Sequence, residues 1–290
     1  MKKLNIAIVG LGNIGSYLFK YLNDNKKILT EKNNCLPIIK YISAKNKNRK
    51  RNINLNKKIW LNNYLDATKK KDVDLIIELI GGAEGPAKKL VFNALKNKKH
   101  VVTANKALIA KYGDQLSKIA EKNKVNLEFE ASVCGGVPII RSLKEGLIAN
   151  KITKIYGIFN GTSNYILSSM EKENKSFQEV LSKAKTLGYA ESNPSADLNG
   201  DDVSSKLKIL SSLCFNSFLN NKIYVEGINQ IDKIDIDNAN SLGYKIKLLG
   251  FAELNNNKIY QRVHPTLIKK DSYVASIDGV LNAVIVDGKP

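Results

Sequence analysis

The chain opens on a short apolar run, LNIAIVG (4–10), closed by glycine, and then changes period. IGSYLFKYLNDNKKIL (14–29) sets its apolar residues three and four apart, which predicts a helix. LPIIKYISA (36–44) reads as a second strand, and the Lys/Asn stretch 45–63 as a solvated loop anchored by Trp60. VDLIIELIGG (73–82) is a third apolar strand, followed by the helix GPAKKLVFNALKNKK (85–99), with Pro86 near its first turn where a missing N–H costs little. HVVTANK (100–106), ALIAKYGDQLSKIAEKN (107–123) and VNLEFEASV (125–133) repeat the rhythm as strand, helix and strand. Alternation of this kind predicts a parallel sheet covered by helices on both faces.

After the glycine pair Gly135-Gly136 the rhythm changes. VPIIRSLKEGLIAN (137–150) is helical in spacing, KITKIYGIFNG (151–161) alternates like a strand, and helices follow near 162–172, 176–187 and 200–216. Beyond 221 the pattern is strand-rich, and no internal repeat is visible. The expected class is α/β, with a Rossmann-type dinucleotide-binding domain over 1–135 and an α+β substrate and catalytic domain over 136–290.

A chain of 290 residues with 43 % hydrophobic content holds about two ordinary domains with cores of their own. No run of about eighteen apolar residues exists, so no membrane-spanning helix and no membrane partner is expected. Cys35, Cys134 and Cys214 are odd in number and widely spaced, which suits a reducing cytoplasm and not a disulfide framework. The net charge of +19 raises nucleic acid as a partner. The lysines are scattered among asparagines, with no basic tail and no basic run interleaved with aromatics. A small anionic ligand is the better expectation, and no nucleic-acid partner is expected.

GLGNIG places Gly10, Gly12 and Gly15 in G-x-G-x-x-G spacing, directly after a strand and opening a helix. The first glycine permits the tight turn, the second lets backbone approach a pyrophosphate, and the third lets helix pack on strand. Gly10, Leu11, Gly12, Asn13, Ile14 and Gly15 are therefore the candidate cofactor turn. No acid follows the second strand to bond a ribose 2′-hydroxyl; Lys45, Lys47 and Arg49 stand there instead. They favour NADP, with NAD the alternative and ordinary surface lysines the plain reading.

GYAESNPSADLNGDDVSSK (188–206) concentrates Glu191, Asp197, Asp201 and Asp202 ahead of Lys206 in a chain otherwise rich in bases. A helix starting near Gly200 sets Asp202 and Lys206 one turn apart on one face. The spacing alone leaves two readings open, a solvated ion pair or a proton donor beside a reacting oxygen. His100 and His264 lack partners at metal spacing and read as structural, Cys134 as a packing residue. Glu78, in an apolar strand, reads either as a buried, partnered acid or as the mark of a strand end.

The same stretch resembles homoserine dehydrogenases, as do VVTANKALIA (101–110), EASVCGGVPII (130–140), FNGTSNYIL (159–167) and HPTLI with ASIDGVLNAV (264–284). These motifs run in order over essentially the whole chain. The resemblance implies reversible, NAD(P)-dependent interconversion of L-homoserine and L-aspartate 4-semialdehyde in threonine, methionine and isoleucine biosynthesis. It implies Lys206 as the proton donor and acceptor and Lys106 as a second lysine where cofactor meets substrate. Glu191 and Asp202 bind homoserine, and Asp197, Thr162 and Tyr189 line its pocket. Glu130 and the backbone of Val133, Gly135 and Val137 match a monovalent cation site, sodium in most members. The resemblance further implies a homodimer, and a longer chain that continues past residue 290 into a strand, a glycine-rich loop and helices, so C-terminal truncation is expected. The competing expectations are another Rossmann oxidoreductase acting on a small amino acid or aldehyde, and an inactive cofactor-binding fragment.

Overall fold

A computed structural model describes residues 1–53, 59–216 and 223–289. Part of the solvated loop read at 45–63, and the start of the strand-rich region after 221, lie outside the described residues. The chain divides into two compact units, Met1–Ser132 and Val133–Pro290.

The first unit runs β1 (Lys2–Val9), α1 (Asn13–Asp24), α2 (Lys26–Asn33), β2 (Cys35–Ser43), α3 (Asp66–Lys69), β3 (Leu75–Glu78), α4 (Pro86–Lys96), β4 (His100–Thr103), α5 (Lys106–Asn123) and β5 (Leu127–Glu128). Its sheet has the order β2-β1-β3-β4-β5, and every pairing is parallel. Ile6, Ala7, Ile8 and Val9 are all buried, which is why β1 reads as an unbroken apolar run and not as an alternation. The order reverses between β1 and β3. In an open parallel sheet that reversal opens a crevice at the strands' carboxyl ends, where ligands bind.

Two elements differ from their sequence patterns. The helix expected over 14–29 breaks at Asn25, which ends α1 and starts α2. Only Gly15 and Phe19 of α1 are buried and no residue of α2 is, so little packing opposes the break. The strand expected over 125–133 pairs only at Leu127 and Glu128, and a 3-10 turn at Glu130–Ser132 follows. Trp60 joins the sheet margin through an isolated bridge to Ile42.

The second unit starts with α6 (Ile139–Arg141), which widens into a π turn at Ser142–Gly146. Then come β6 (Lys151–Ile158), α7 (Gly161–Glu173), α8 (Phe177–Thr186), α9 (Ser195–Leu198), α10 (Asp201–Phe215), β7 (Tyr224–Val225), α11 (Lys233–Ser241), β8 (Tyr244–Asn255), β9 (Lys258–Lys269) and β10 (Ala283–Lys289). The sheet order is β10-β6-β8-β9-β7, antiparallel except where β7 meets β9. β8 and β9 form a hairpin whose turn residues, Asn256 and Asn257, both sit at left-handed φ, 48° and 60°. Asn tolerates that region better than other side chains, so the asparagine-rich NNNK stretch is the turn signal. The helices α7, α10 and α11 pack on β8, and α10 also on β6. That packing holds the end of β6, the start of α7 and the start of α10 in one unit, and the candidate catalytic groups lie there.

Candidate active site

In the first unit the glycine turn is built by close backbone approach. A Cβ on Gly10 would lie 2.3 Å from the Leu79 carbonyl oxygen, and one on Gly15 would lie 2.0 Å from the Gly10 carbonyl oxygen. Neither position has room for a side chain. At Gly12 a Cβ would meet nothing within 4 Å, so this glycine leaves space and is not forced by the fold. The N-terminus of α1 carries no side-chain cap, and Asn13 and Ile14 lie in its first turn. Its free N–H groups and positive dipole end suit a phosphate.

That turn opens onto a cleft of about 700 Å³ lined by Gly10, Leu11, Gly12, Lys45, Arg49 and Arg51, with Tyr64 and Ile80 also on its wall. Arg51 is committed to structure. Its Nε donates to the Leu11 carbonyl at 3.0 Å, its two terminal nitrogens donate to the carbonyls of Arg49 and Asn46, and its guanidinium lies 5.6 Å from the Trp60 ring centre. Lys47 lies 6.0 Å from the same ring, whereas Lys45 and Arg49 line the cleft. An open glycine, an uncapped helix end and two basic side chains fit the diphosphate and phosphate groups of a dinucleotide.

Glu78 is both a buried, partnered acid and the last residue of β3. One carboxylate oxygen accepts from the N–H groups of Ile80 and Gly81 at 2.7 and 3.0 Å, and the other accepts from Thr103 Oγ1 at 2.5 Å. Thr103 Oγ1 accepts from the Asn105 N–H, and the Asn105 amide donates to the Gly82 carbonyl at 2.8 Å. Asn105 also caps α5 by accepting from the Leu108 N–H. The network ties the loop after β3 to the TANK segment and fixes Lys106 as the first residue of α5.

In the second unit the Lys206 ammonium lies 2.7 Å from Asp202 Oδ2, one turn apart on α10, with side chains 14 % and 4 % exposed. It also donates to the Phe159 carbonyl at 2.6 Å, just past the end of β6. Asn160, the next residue, donates to Asp197 Oδ1 at 2.7 Å and to Asp202 Oδ2 at 2.8 Å. Its side-chain oxygen accepts from the Ser163 N–H at 2.8 Å and so caps α7. The next turn residue, Thr162, donates to the Tyr189 carbonyl at 2.7 Å, and the Tyr189 ring meets Tyr165 edge-on at 5.0 Å. Asp197, Asp202 and Lys206 are thus brought together by Asn160, with Thr162 and Tyr189 on the same end of α7. Glu191 follows Tyr189 by two residues. It is exposed and engaged by no hydrogen bond or ion pair among the described residues. Asn160 was absent from the sequence candidates, although an Asn ahead of a helical run is a cap signal.

Burial pushes the Cys134 thiol up to about 11, with smaller and opposite effects from Lys206 and Asp202. That group is a packed thiol and not a nucleophile. Cys134 sits at left-handed φ, 46°, in a turn closed by the Val137 N–H donating to its carbonyl at 2.9 Å. Gly135 lies in this turn, Val133 is buried just before it, and Glu130 belongs to the 3-10 turn that ends the first unit. Among the described residues no cluster of three or more His, Cys, Asp or Glu could hold a metal. The His100 ring accepts from the Asn126 N–H, and the His264 ring contacts the Pro265 carbonyl, so both serve local structure.

A family model described as homoserine dehydrogenase matches residues 138–290, and one described as homoserine dehydrogenase, NAD binding domain, matches residues 10–130. A homoserine dehydrogenase of Neisseria gonorrhoeae is 42 % identical over 288 residues, 99 % of this chain and 66 % of the relative. That of Bacillus subtilis is 40 % identical over 290 residues, 100 % of this chain and 67 % of the relative. The crystal structure of a homoserine dehydrogenase from Thiobacillus denitrificans matches with a TM-score of 0.93 at 41 % identity, covering 99 % of this chain and 67 % of that one. The chain therefore spans about two thirds of the length of the relatives it matches. With both units matched in order and the glycine turn and the Asp202–Lys206 pair in place, the chain belongs to the homoserine dehydrogenase family.

Proposed function

We propose that the protein interconverts L-homoserine and L-aspartate 4-semialdehyde with a nicotinamide dinucleotide. The observation that carries this reading is the Lys206 ammonium, held by Asp202 and the Phe159 carbonyl on a rigid helix. When the aldehyde is reduced, negative charge grows on its oxygen. Lys206 stabilises that charge and delivers the proton, and in the other direction it takes the hydroxyl proton. The cofactor, when bound, carries the hydride. The exposed carboxylate of Glu191, unengaged among the described residues, receives the substrate's α-ammonium. Asp202 holds Lys206 in place, and Asp197, Thr162 and Tyr189 shape the pocket wall. Lys106, at the first turn of a helix fixed by the Glu78–Thr103–Asn105 network, serves the cofactor and the substrate together.

Lys45 and Arg49 on the cleft support NADP over NAD, because two cations suit a 2′-phosphate. For the segment Glu130–Val137, one carboxylate and backbone carbonyls are the oxygen donors that a hard monovalent cation such as sodium takes. The homodimer reading is supported by exposed Leu267 on β9 and Tyr273 just beyond it. Three cysteines that all stand free suit a cytoplasmic setting. The test is a homoserine titration with NADP+, following reduced nicotinamide by its near-ultraviolet absorbance. Saturable, homoserine-dependent reduction is the expected result. Equal rates with unrelated small alcohols would favour a different oxidoreductase, and cofactor binding without turnover a fragment that only binds.

A further inference from the structure

Helix capping needs only an acceptor, and Ser, Asp and Asn supply it about equally well. Asn160 does more than cap. It is 4 % exposed, its oxygen takes the Ser163 N–H, and its amide nitrogen donates to the carboxylates of both Asp197 and Asp202. Of the good cap residues, only Asn presents an acceptor at one end and two N–H donors at the other. Without those donors the carboxylates of Asp197 and Asp202 would lose the group that bridges them, and like charges near one another repel. The backbone of the preceding residue acts on the same group, since the Phe159 carbonyl accepts from Lys206 Nζ. The Phe159-Asn160 pair therefore grips the ammonium directly and its counterion at Oδ2, the atom that Lys206 also contacts.

We infer that Asn160 is a positioning residue for the proton-transferring lysine: it bridges Asp197 to Asp202 and so fixes Lys206 relative to the start of α7. This rests on the reading of Lys206 given above. It assigns to the FNGT segment a task beyond starting a helix, carried out by a buried residue.

The test compares wild type with Asn160→Ser and Asn160→Thr, both of which keep a good cap. Three quantities are read: turnover with homoserine, melting temperature with NADP+ affinity, and the rate at which acetic anhydride labels Lys206, mapped by mass spectrometry against exposed Lys118. Positioning predicts that both variants lose only a few degrees of melting temperature and keep their cofactor affinity, while kcat falls by about tenfold or more, as it does when reacting groups are slightly misplaced. Labelling of Lys206 rises several-fold in both, because its counterion is no longer held. If either variant turns over within about twofold of wild type, Asn160 is a cap and nothing else, and the inference is overturned. If the wild-type chain shows no homoserine turnover, the activity reading has failed on its own. The labelling rates then decide this one, and equal rates in all three proteins overturn it.

Discussion

Lys247, 1 % exposed, donates to Asp278 Oδ1 at 2.8 Å from the middle of β8. The same ammonium donates to Asn164 Oδ1, Ser168 Oγ and the Ile277 carbonyl. Asn164 in turn donates to the carbonyls of Ile277 and Leu281. Farther along, a Cβ on Gly161 would strike the Val280 carbonyl oxygen at 2.6 Å, so the segment lies against the first turn of α7. One buried charge thus stitches residues 277–281 along the helix whose cap organises the candidate site. A buried ion pair adds little net stability over an apolar replacement. Its contribution here is positional.

Removing one partner of such a pair is costly, because the other is left uncompensated. Lys247→Met is expected to destabilise the protein by about 3 kcal/mol, the low end for a broken buried pair, because Lys172 and Lys245 remain 3.0 and 3.5 Å from Asp278. Acid sensitivity carries the same information. Burial pushes the Asp278 carboxyl up, but bonds from Lys247 and Lys172 outweigh it and leave it at about 2, below its ordinary 3.8. A depressed carboxylate stabilises the fold above its unfolded pKa and loses that contribution as the pH falls through the folded value. The stabilisation, on the order of 2 kcal/mol, should be intact above about pH 4 and fade towards pH 2. Urea midpoints of wild type and Asp278→Asn should therefore differ at pH 5 and converge near pH 2. A constant gap would remove the pairing account.

The glycine turn separates two roles that a motif match lumps together. A Cβ on Gly15 meets a carbonyl oxygen at 2.0 Å, so Gly15→Ala should cost about 1–3 kcal/mol or more in stability. A Cβ on Gly12 meets nothing within 4 Å, and its φ of −76° suits any residue. Gly12→Ala should melt like wild type while binding NADP+ about tenfold more weakly, the loss of roughly one charge-assisted hydrogen bond. Thermal melts with and without cofactor read both effects, and unchanged affinity in Gly12→Ala would mean that no phosphate approaches there.

Much of the first unit was legible because buried parallel strands read as continuous apolar runs and Pro86 marks a helix start, whereas the Asn105 cap lay inside the stretch read as strand 100–106 and was missed. The break at Asn25 was not legible, since apolar spacing continues through a helix pair that buries almost nothing. The helix Lys233–Ser241 was hidden in a stretch read as strand-rich. It buries only Ile236 and Ala239, and its one clear signal is the capping box of Asp232 and Asp235. The Asp202–Lys206 contact followed from one-turn spacing. The bonds of Asn160 to Asp197 and Asp202 span 37 and 42 residues, and no local pattern encodes a partner that the fold alone brings near.

Cofactor choice turns on the segment after β2. Lys45 and Arg49 line the cleft, whereas Arg51 is bonded to backbone and Lys47 lies towards Trp60. Replacing Lys45 and Arg49 together by Ser should raise the KM for NADP+ by about a hundredfold or more and leave that for NAD+ within about twofold, each lost cation–phosphate bond being worth roughly 1.5–3 kcal/mol. The same change at Lys47 should do little. A double variant with an unaltered ratio of the two constants would return these side chains to the status of surface bases.

Lys206 and Glu191 should fail in different ways, and the difference tests the division of labour between them. Lys206→Ala removes the only side chain the mechanism uses to move the proton, so kcat should fall by about 10²–10⁴. NADP+ affinity should stay within a few-fold, because its proposed contacts all lie on the first unit. Asp202 loses its pair with Lys206 in that variant, and a lower melting temperature is expected with it. Glu191 is exposed and engages no neighbour among the described residues, so Glu191→Ala should fold as wild type does. Its cost should appear in homoserine binding, a KM raised by about tenfold for one lost charge-assisted hydrogen bond with kcat little changed. Steady-state kinetics at saturating NADP+ separates the two. A Glu191→Ala enzyme that keeps its KM but loses kcat would move the carboxylate from substrate recognition into the chemistry of the step.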